Sequence, residues 1–230
     1  VRNLIRYFGG HPDITLYLFV TGTNEHTFAA VPDRIVKVIL PAENSGSVIL
    51  RTVIDHDVDL YFCPLMVLDP VLVHIPTVIN IPDIQHEYFP EYFSNTVLEE
   101  RRLNYNASAA HADMVLTLSG FSRTTILDRY HLPAEKVAAI FLAGDEIFDK
   151  EADPAVQASV RKKYALPDTY GYFPANTWPH KNHRTLLEAL SLYKTRYGSP
   201  PRIVLTGAED TGHADLLRSI REHGLQDEIM

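Results

Sequence analysis

Tyr170-Gly171-Tyr172-Phe173-Pro174-Ala175-Asn176-Thr177-Trp178-Pro179-His180-Lys181-Asn182-His183 starts in a short apolar run, crosses a turn-rich loop and enters a helix. The helix is read over His183–Tyr197, where Leu186, Leu190, Tyr193 and Tyr197 fall on one stripe and Glu188, Lys194 and Arg196 lie off it. A second apolar run, Ile203–Thr206, follows. Strand, helix and strand in that order make a βαβ unit, and short continuous apolar runs are the mark of strands buried on both faces of a parallel sheet.

The same reading extends toward the N-terminus. Further apolar runs lie at Ile14–Val20, Ile35–Leu40, Asp59–Cys63, Thr77–Ile81, Met114–Leu118 and Val137–Leu142. Helical patterns fall at Thr96–Ala112, opened by the capping-box pattern Thr96-Val97-Leu98-Glu99, at Phe121–Tyr130 after Ser119, and at Ala214–Glu222. Alternation of this kind predicts an α/β fold with parallel sheets. Ala143–Asp168 breaks the rhythm with charged and turn residues, and a short helix is expected near Pro154–Tyr164, with Pro at its first position. The organisation read from this is a Rossmann-like domain over 1–145, a linker over 146–168 and a second, incomplete domain over 169–230. Val1–Phe8 reads as the end of a helix and Met230 stands where a doubly wound domain would continue, so a fragment is expected.

Composition excludes several classes. With 21 Lys+Arg against 29 Asp+Glu the formal charge is −8, so no nucleic-acid partner is expected and an anionic ligand must be held by a few placed groups. The single cysteine, Cys63, can form neither an internal disulfide nor a thiolate metal site alone, which points to a reducing compartment and a buried thiol. No apolar stretch approaches the ~18–20 residues of a membrane span, and the start lacks a signal-peptide core, so a cytoplasmic location is read.

In parallel α/β sheets ligands bind beyond the carboxyl ends of the strands, which directs attention to three loops. Pro82-Asp83-Ile84-Gln85-His86-Glu87-Tyr88-Phe89-Pro90-Glu91-Tyr92-Phe93 packs a carboxylate, an amide, an imidazole and several aromatics together, as a pocket wall does; a helix-entry loop with a packed aromatic cluster is the alternative. Pro174–His183 places Lys181 just before a helix, where unpaired N–H groups and a full positive charge together suit a phosphate; a solvated turn residue is the alternative. Thr206-Gly207-Ala208-Glu209-Asp210 carries a glycine that permits close backbone approach of a ligand, or simply a tight turn. The Asp-x-Asp patterns Asp55-His56-Asp57 and Asp57-Val58-Asp59 precede a strand, on the wrong edge for a metal–diphosphate site. The glycine fingerprints of dinucleotide sites and P-loops are missing.

On these loops the sequence resembles the group-1 retaining glycosyltransferases of the GT-B fold. Ile81-Pro82-Asp83-Ile84-Gln85-His86-Glu87-Tyr88-Phe89-Pro90-Glu91-Tyr92-Phe93-Ser94 resembles the family's N-domain loop, and Ala112-Asp113 with Leu118-Ser119-Gly120-Phe121-Ser122-Arg123 its "AD…vS.fs" segment. Leu132-Pro133-Ala134-Glu135-Lys136-Val137 and Phe173–His183 follow in the family's order, the latter similar to its donor-phosphate loop. The resemblance implies transfer of a sugar from a UDP- or GDP-sugar to a glycan or lipid-linked acceptor, with retention at the anomeric carbon, in a cleft between two Rossmann-like domains. It implies catalytic roles for Asp83 and His86, donor-phosphate contacts from Asn176, Lys181 and Gly207, an acceptor side at Ser122 and Arg123, and no metal. Polysaccharide synthesis in the cytoplasm follows from the same likeness, with peripheral association at the inner membrane face left open. Pro82 stands where many members carry a histidine, and Asn176 lies near the place of a missing arginine. The family's paired glutamates are not found, so this chain alone is expected to transfer sugar poorly. The alternatives are another GT-B sugar-nucleotide enzyme, such as an epimerase, and a non-catalytic sugar- or nucleotide-binding module.

Overall fold

The computed structural model describes residues 2–28, 31–32, 34–69, 74–144 and 146–230. Asp145, the expected last residue of the first domain, lies outside the described residues. The chain divides into two compact units, Val1–Glu146 and Ile147–Met230. In the first, α1 (Arg2–Gly9) precedes β1 (Leu16–Thr21) and β2 (Ile35–Leu40), which pair in parallel. After α2 (Ser45–Asp55) come β3 (Tyr61–Cys63), β4 (Thr77–Asn80), the one-turn α3 (Gln85–Tyr88), α4 (Asn95–His111), β5 (Met114–Thr117), α5 (Gly120–Tyr130) and β6 (Val137–Ala139). The last four strands form one parallel sheet in the order β3-β4-β5-β6, with Ile79 opposite Val115 and Val115 opposite Val137.

The core shows why the apolar runs are continuous. Ile79, Ile81 and Val115 from the sheet are fully buried with Ile49 and Val53 of α2, Tyr105 and Ala109 of α4, and Ile126 of α5. In β3–β6 no residue is exposed, as fits strands covered on both faces, whereas β2 and the later strand Gly171–Pro174 expose Val36, Ile39 and Tyr172 although their sequences are largely apolar too. Two expectations are corrected. The run Val137–Leu142 stops being a strand at Ala139, and Ile140, Phe141 and Leu142 stand exposed. α4 is capped not at Thr96 but at Ser94, whose Oγ accepts the Val97 N–H at 3.4 Å.

The second unit contains α6 (Pro154–Lys163), β7 (Gly171–Pro174), α7 (His183–Tyr197), β8 (Ile203–Thr206) and α8 (His213–Glu222). β7 and β8 pair in parallel from Gly171–Ile203 to Pro174–Thr206. Leu187 and Leu190 of α7, Ile203 of β8, Leu216 of α8 and Leu225 form its core. Asp153 caps α6, accepting from the Ala155 N–H at 2.8 Å, and Pro154 sits at the first helical position, where its missing N–H costs nothing. Among the described residues no helix is long and apolar enough to cross a membrane.

Candidate functional site

In the first unit the candidate loop leaves the carboxyl end of β4 and is pinned by β5. Ile81 N–H donates to the Leu116 carbonyl at 2.9 Å, and the buried Thr117 hydroxyl donates to the Pro82 carbonyl at 3.0 Å. The pinned backbone turns at Asp83, whose Oδ1 accepts the Gln85 N–H at 3.0 Å while its carboxylate stays exposed. Three residues on, His86 goes the other way. Its side chain is wholly buried, edge-on to Tyr105 with ring centroids 5.1 Å apart, and neither ring nitrogen has a hydrogen-bond partner. Burial pushes its pKa below the ordinary histidine value, opposed by the Glu87 carboxylate 3.7 Å from Nε2. Asp83 therefore presents its carboxylate to the surface, whereas His86 is packed inside.

Glu87 fixes that loop to its neighbours. Its carboxylate, 5% exposed, accepts from Arg129 Nε of α5 at 2.8 Å and lies 3.3 Å from Arg102 Nε of α4. The residues expected on the acceptor side are used internally. Ser122 is buried in the first turn of α5, where its N–H and hydroxyl both meet Ser119 Oγ at 3.0 Å. Arg123 donates from Nε to the Val137 carbonyl at 2.7 Å and from a terminal nitrogen to the Ala134 carbonyl at 2.6 Å, lacing α5 to the entry of β6. Two of the five guanidinium N–H donors are thus committed to backbone carbonyls of the first unit. Asp113, of the Ala112-Asp113 pair, likewise ties strand to strand, its carboxylate accepting the Thr77 N–H at 2.7 Å.

In the second unit the loops after β7 and β8 continue the strand pairing. Ala175 N–H donates to the Thr206 carbonyl at 2.8 Å, Thr177 N–H to the Ala208 carbonyl at 3.2 Å, and Gly212 N–H to the Thr177 carbonyl at 3.0 Å. Contact is so close that a Cβ on Gly207 would stand 2.2 Å from the Ala175 carbonyl oxygen, and one on Gly212 the same distance from that of Thr177. Gly207 was expected to admit a ligand; the group that approaches it is the neighbouring loop. Lys181 ends a 3₁₀ turn over Pro179–Lys181, two residues before the first of α7, and its exposed ammonium pairs with no acid among the described residues. Asn182, in the left-handed conformation, makes the bend into α7 and accepts from the Thr185 hydroxyl at 2.8 Å.

Polar atoms without partners gather on these same loops. Asn176 Oδ1, His183 Nε2 and His213 Nδ1 are buried with no hydrogen bond, although the residues to which they belong lie at a loop, at the start of α7 and at the start of α8. Buried polar groups are ordinarily satisfied, so such a group at strand ends marks a place where a ligand could bind. His183 and His213 escape a reading of the sequence because a histidine at a helix start looks like any other. Only the burial of an unpartnered ring nitrogen in the folded chain sets them apart. Among the described residues no three His, Cys, Asp or Glu side chains group as metal ligands.

No family model matches the chain. Over 121 residues, 51% of this chain and 31% of the relative, the sequence is 30% identical to O-antigen chain mannosyltransferase B of Escherichia coli. Among solved structures, Anabaena Alr3699/HepE in complex with UDP superposes with a TM-score of 0.66 at 20% identity, covering 98% of this chain and 63% of that one. WaaG, a glycosyltransferase involved in lipopolysaccharide biosynthesis, gives 0.62 at 11% identity over 100% of this chain and 65% of its own. The fold is GT-B. That architecture also carries a UDP-GlcNAc 2-epimerase of Neisseria meningitidis, with a TM-score of 0.56 at 12% identity over 98% and 66% of the two chains. The chain thus spans about three-fifths of the length of its first structural relatives and matches about a third of the curated one. GT-B resemblance in sequence and in fold agree, and the loops described above are those on which the sequence resemblance rests.

Proposed function

We propose that this chain is the acceptor-side unit and the first part of the donor-side unit of a retaining glycosyltransferase that uses a UDP- or GDP-sugar and a glycan or lipid-linked acceptor in the cytoplasm. The observation that carries the reading is Lys181: an exposed ammonium at the mouth of α7 that pairs with no acid among the described residues, on the loop where the buried Oδ1 of Asn176 has no hydrogen bond. Glycosyl transfer passes through an oxocarbenium-like state while negative charge builds on the departing diphosphate. A cation and the free N–H groups of a helix start would stabilise that charge, as electrostatic catalysis requires. Asn176 lies on the same loop and would contact the diphosphate through its amide. Asp83 would accept a hydrogen bond from the acceptor hydroxyl, and His86, buried beneath it, would hold the turn in place.

Titration calorimetry with UDP and GDP tests the reading. Binding by the chain is expected, and Lys181→Ala should weaken it by about ten- to a hundredfold, one charge-assisted contact. A silent titration, or binding indifferent to Lys181→Ala, would sink it. Because the epimerase shares the architecture, UDP-GlcNAc is also incubated without acceptor. Appearance of its 2-epimer would favour the epimerase, whereas binding with neither epimerisation nor transfer by the whole protein would leave a binding module.

A further inference from the structure

Thr177 is 9% exposed and sits in the middle of the loop after β7, yet its side chain serves the loop after β8. Its hydroxyl oxygen accepts the Asp210 N–H at 2.6 Å and donates to the Asp210 carbonyl at 3.3 Å. Its own N–H and carbonyl are taken by Ala208 and Gly212 of that second loop. One residue thus makes four hydrogen bonds to a single facing segment, and the two glycines of that segment let the backbones meet. The consequence reaches Lys181. Its turn begins two residues after Thr177 with Pro179, and α8 begins three residues after Asp210, so the cation and the starts of both helices are referred to one fixed point.

We infer that Thr177 is the positioning residue of the donor-phosphate site, holding the two loops as one platform so that Lys181 and the α8 start address the same anionic ligand. The inference rests on the reading of this loop as the place of the donor diphosphate. Thr177 touches no ligand itself; it acts through Lys181 and the α8 start. A valine of the same shape cannot accept the Asp210 N–H, which leaves a part-buried donor without its partner and frees the second loop to shift, while serine keeps the oxygen.

The experiment is calorimetry with UDP and with uridine on the full chain and on Thr177→Val, Thr177→Ser, Lys181→Ala and Thr177→Val/Lys181→Ala, each checked for folding by circular dichroism. For UDP, Thr177→Val should weaken binding by about tenfold and Thr177→Ser by less than about twofold. In the Lys181→Ala background the valine should cost less than in the parent, because residues acting through one another are not additive, and what remains is the share of the α8 start. Uridine binding should respond to none of them. If the parent chain does not bind UDP, the functional reading fails and this inference with it. If the parent binds and Thr177→Val binds equally well, or loses the same factor with and without Lys181, the inference alone is overturned. Should the valine variant not fold, Thr177→Ala is compared with Thr177→Ser in its place, with the same outcomes.

Discussion

His86 and His183 are both buried, each with an unpartnered ring nitrogen, and burial lowers the pKa of each below the ordinary histidine value of 6.5. Around and below that value the unfolded chain takes up protons more readily than the folded chain, so it binds more protons than the fold does. Their contribution to stability is complete above about pH 6.5 and is lost as pH falls toward the lowered folded values. Thermal midpoints measured from pH 8 down to pH 5 should therefore decline on the acid side. His86→Phe keeps the ring's shape and removes two unsatisfied nitrogens, so at pH 8 it should leave urea stability within about 1 kcal/mol of the parent or raise it, and flatten the acid decline. An unchanged pH profile in that variant would contradict the assignment. Cys63 is the simpler case: buried, its thiol donating to the Val67 carbonyl at 3.4 Å, with a pKa raised by burial.

At the scale of elements, α3 is one turn long and could not hold itself, since a turn forms one hydrogen bond for several fixed dihedrals. Glu87 supplies what the turn lacks, linking it to α4 and α5 through Arg102 and Arg129. Glu87→Gln should cost about 1–3 kcal/mol in urea unfolding, because it leaves two guanidiniums without their carboxylate around a buried amide. Arg102→Ala should cost less, its partner being still held by Arg129. A double-mutant cycle between Glu87 and Arg129 that returns no coupling would refute the link. Several elements were legible in the sequence for a plain reason: β8 and α7 fall where the apolar run and the 3.6-residue stripe put them. The α2 helix was not, because Val48, Ile49, Val53 and Ile54 are β-branched and equally suit a strand, and Asn44 provides no side-chain cap. Thr96 looked like the cap of α4 because its capping box is local, but Ser94 is in the extended conformation that a cap needs.

At the scale of the molecule, the first unit holds two parallel sheets and the second one, and each unit carries candidate residues on loops that follow strands. If the second unit holds the diphosphate, hydrogen exchange with and without UDP should slow at residues 175–182 and 206–213 more than anywhere in β3–β6. Equal protection of the two units, or none at all, would contradict a donor site built from the β7 and β8 loops.

The alternation of apolar runs and helical stripes determined by itself that this would be a parallel α/β protein, since buried strands and amphipathic helices write their burial into composition and period. Lys181 at a helix entry and Asp83 in a polar, aromatic loop were likewise visible, because charge and helix signals are local. What tertiary structure decided was the use to which polar side chains are put. His86 is buried while Asp83 is exposed, Ser122 and Arg123 make hydrogen bonds inside the first unit, and Gly207 lets the neighbouring loop approach closely. A polar group's partner lies far away in sequence, 33 residues in the case of Thr177 and Asp210, and only the folded chain brings the two together.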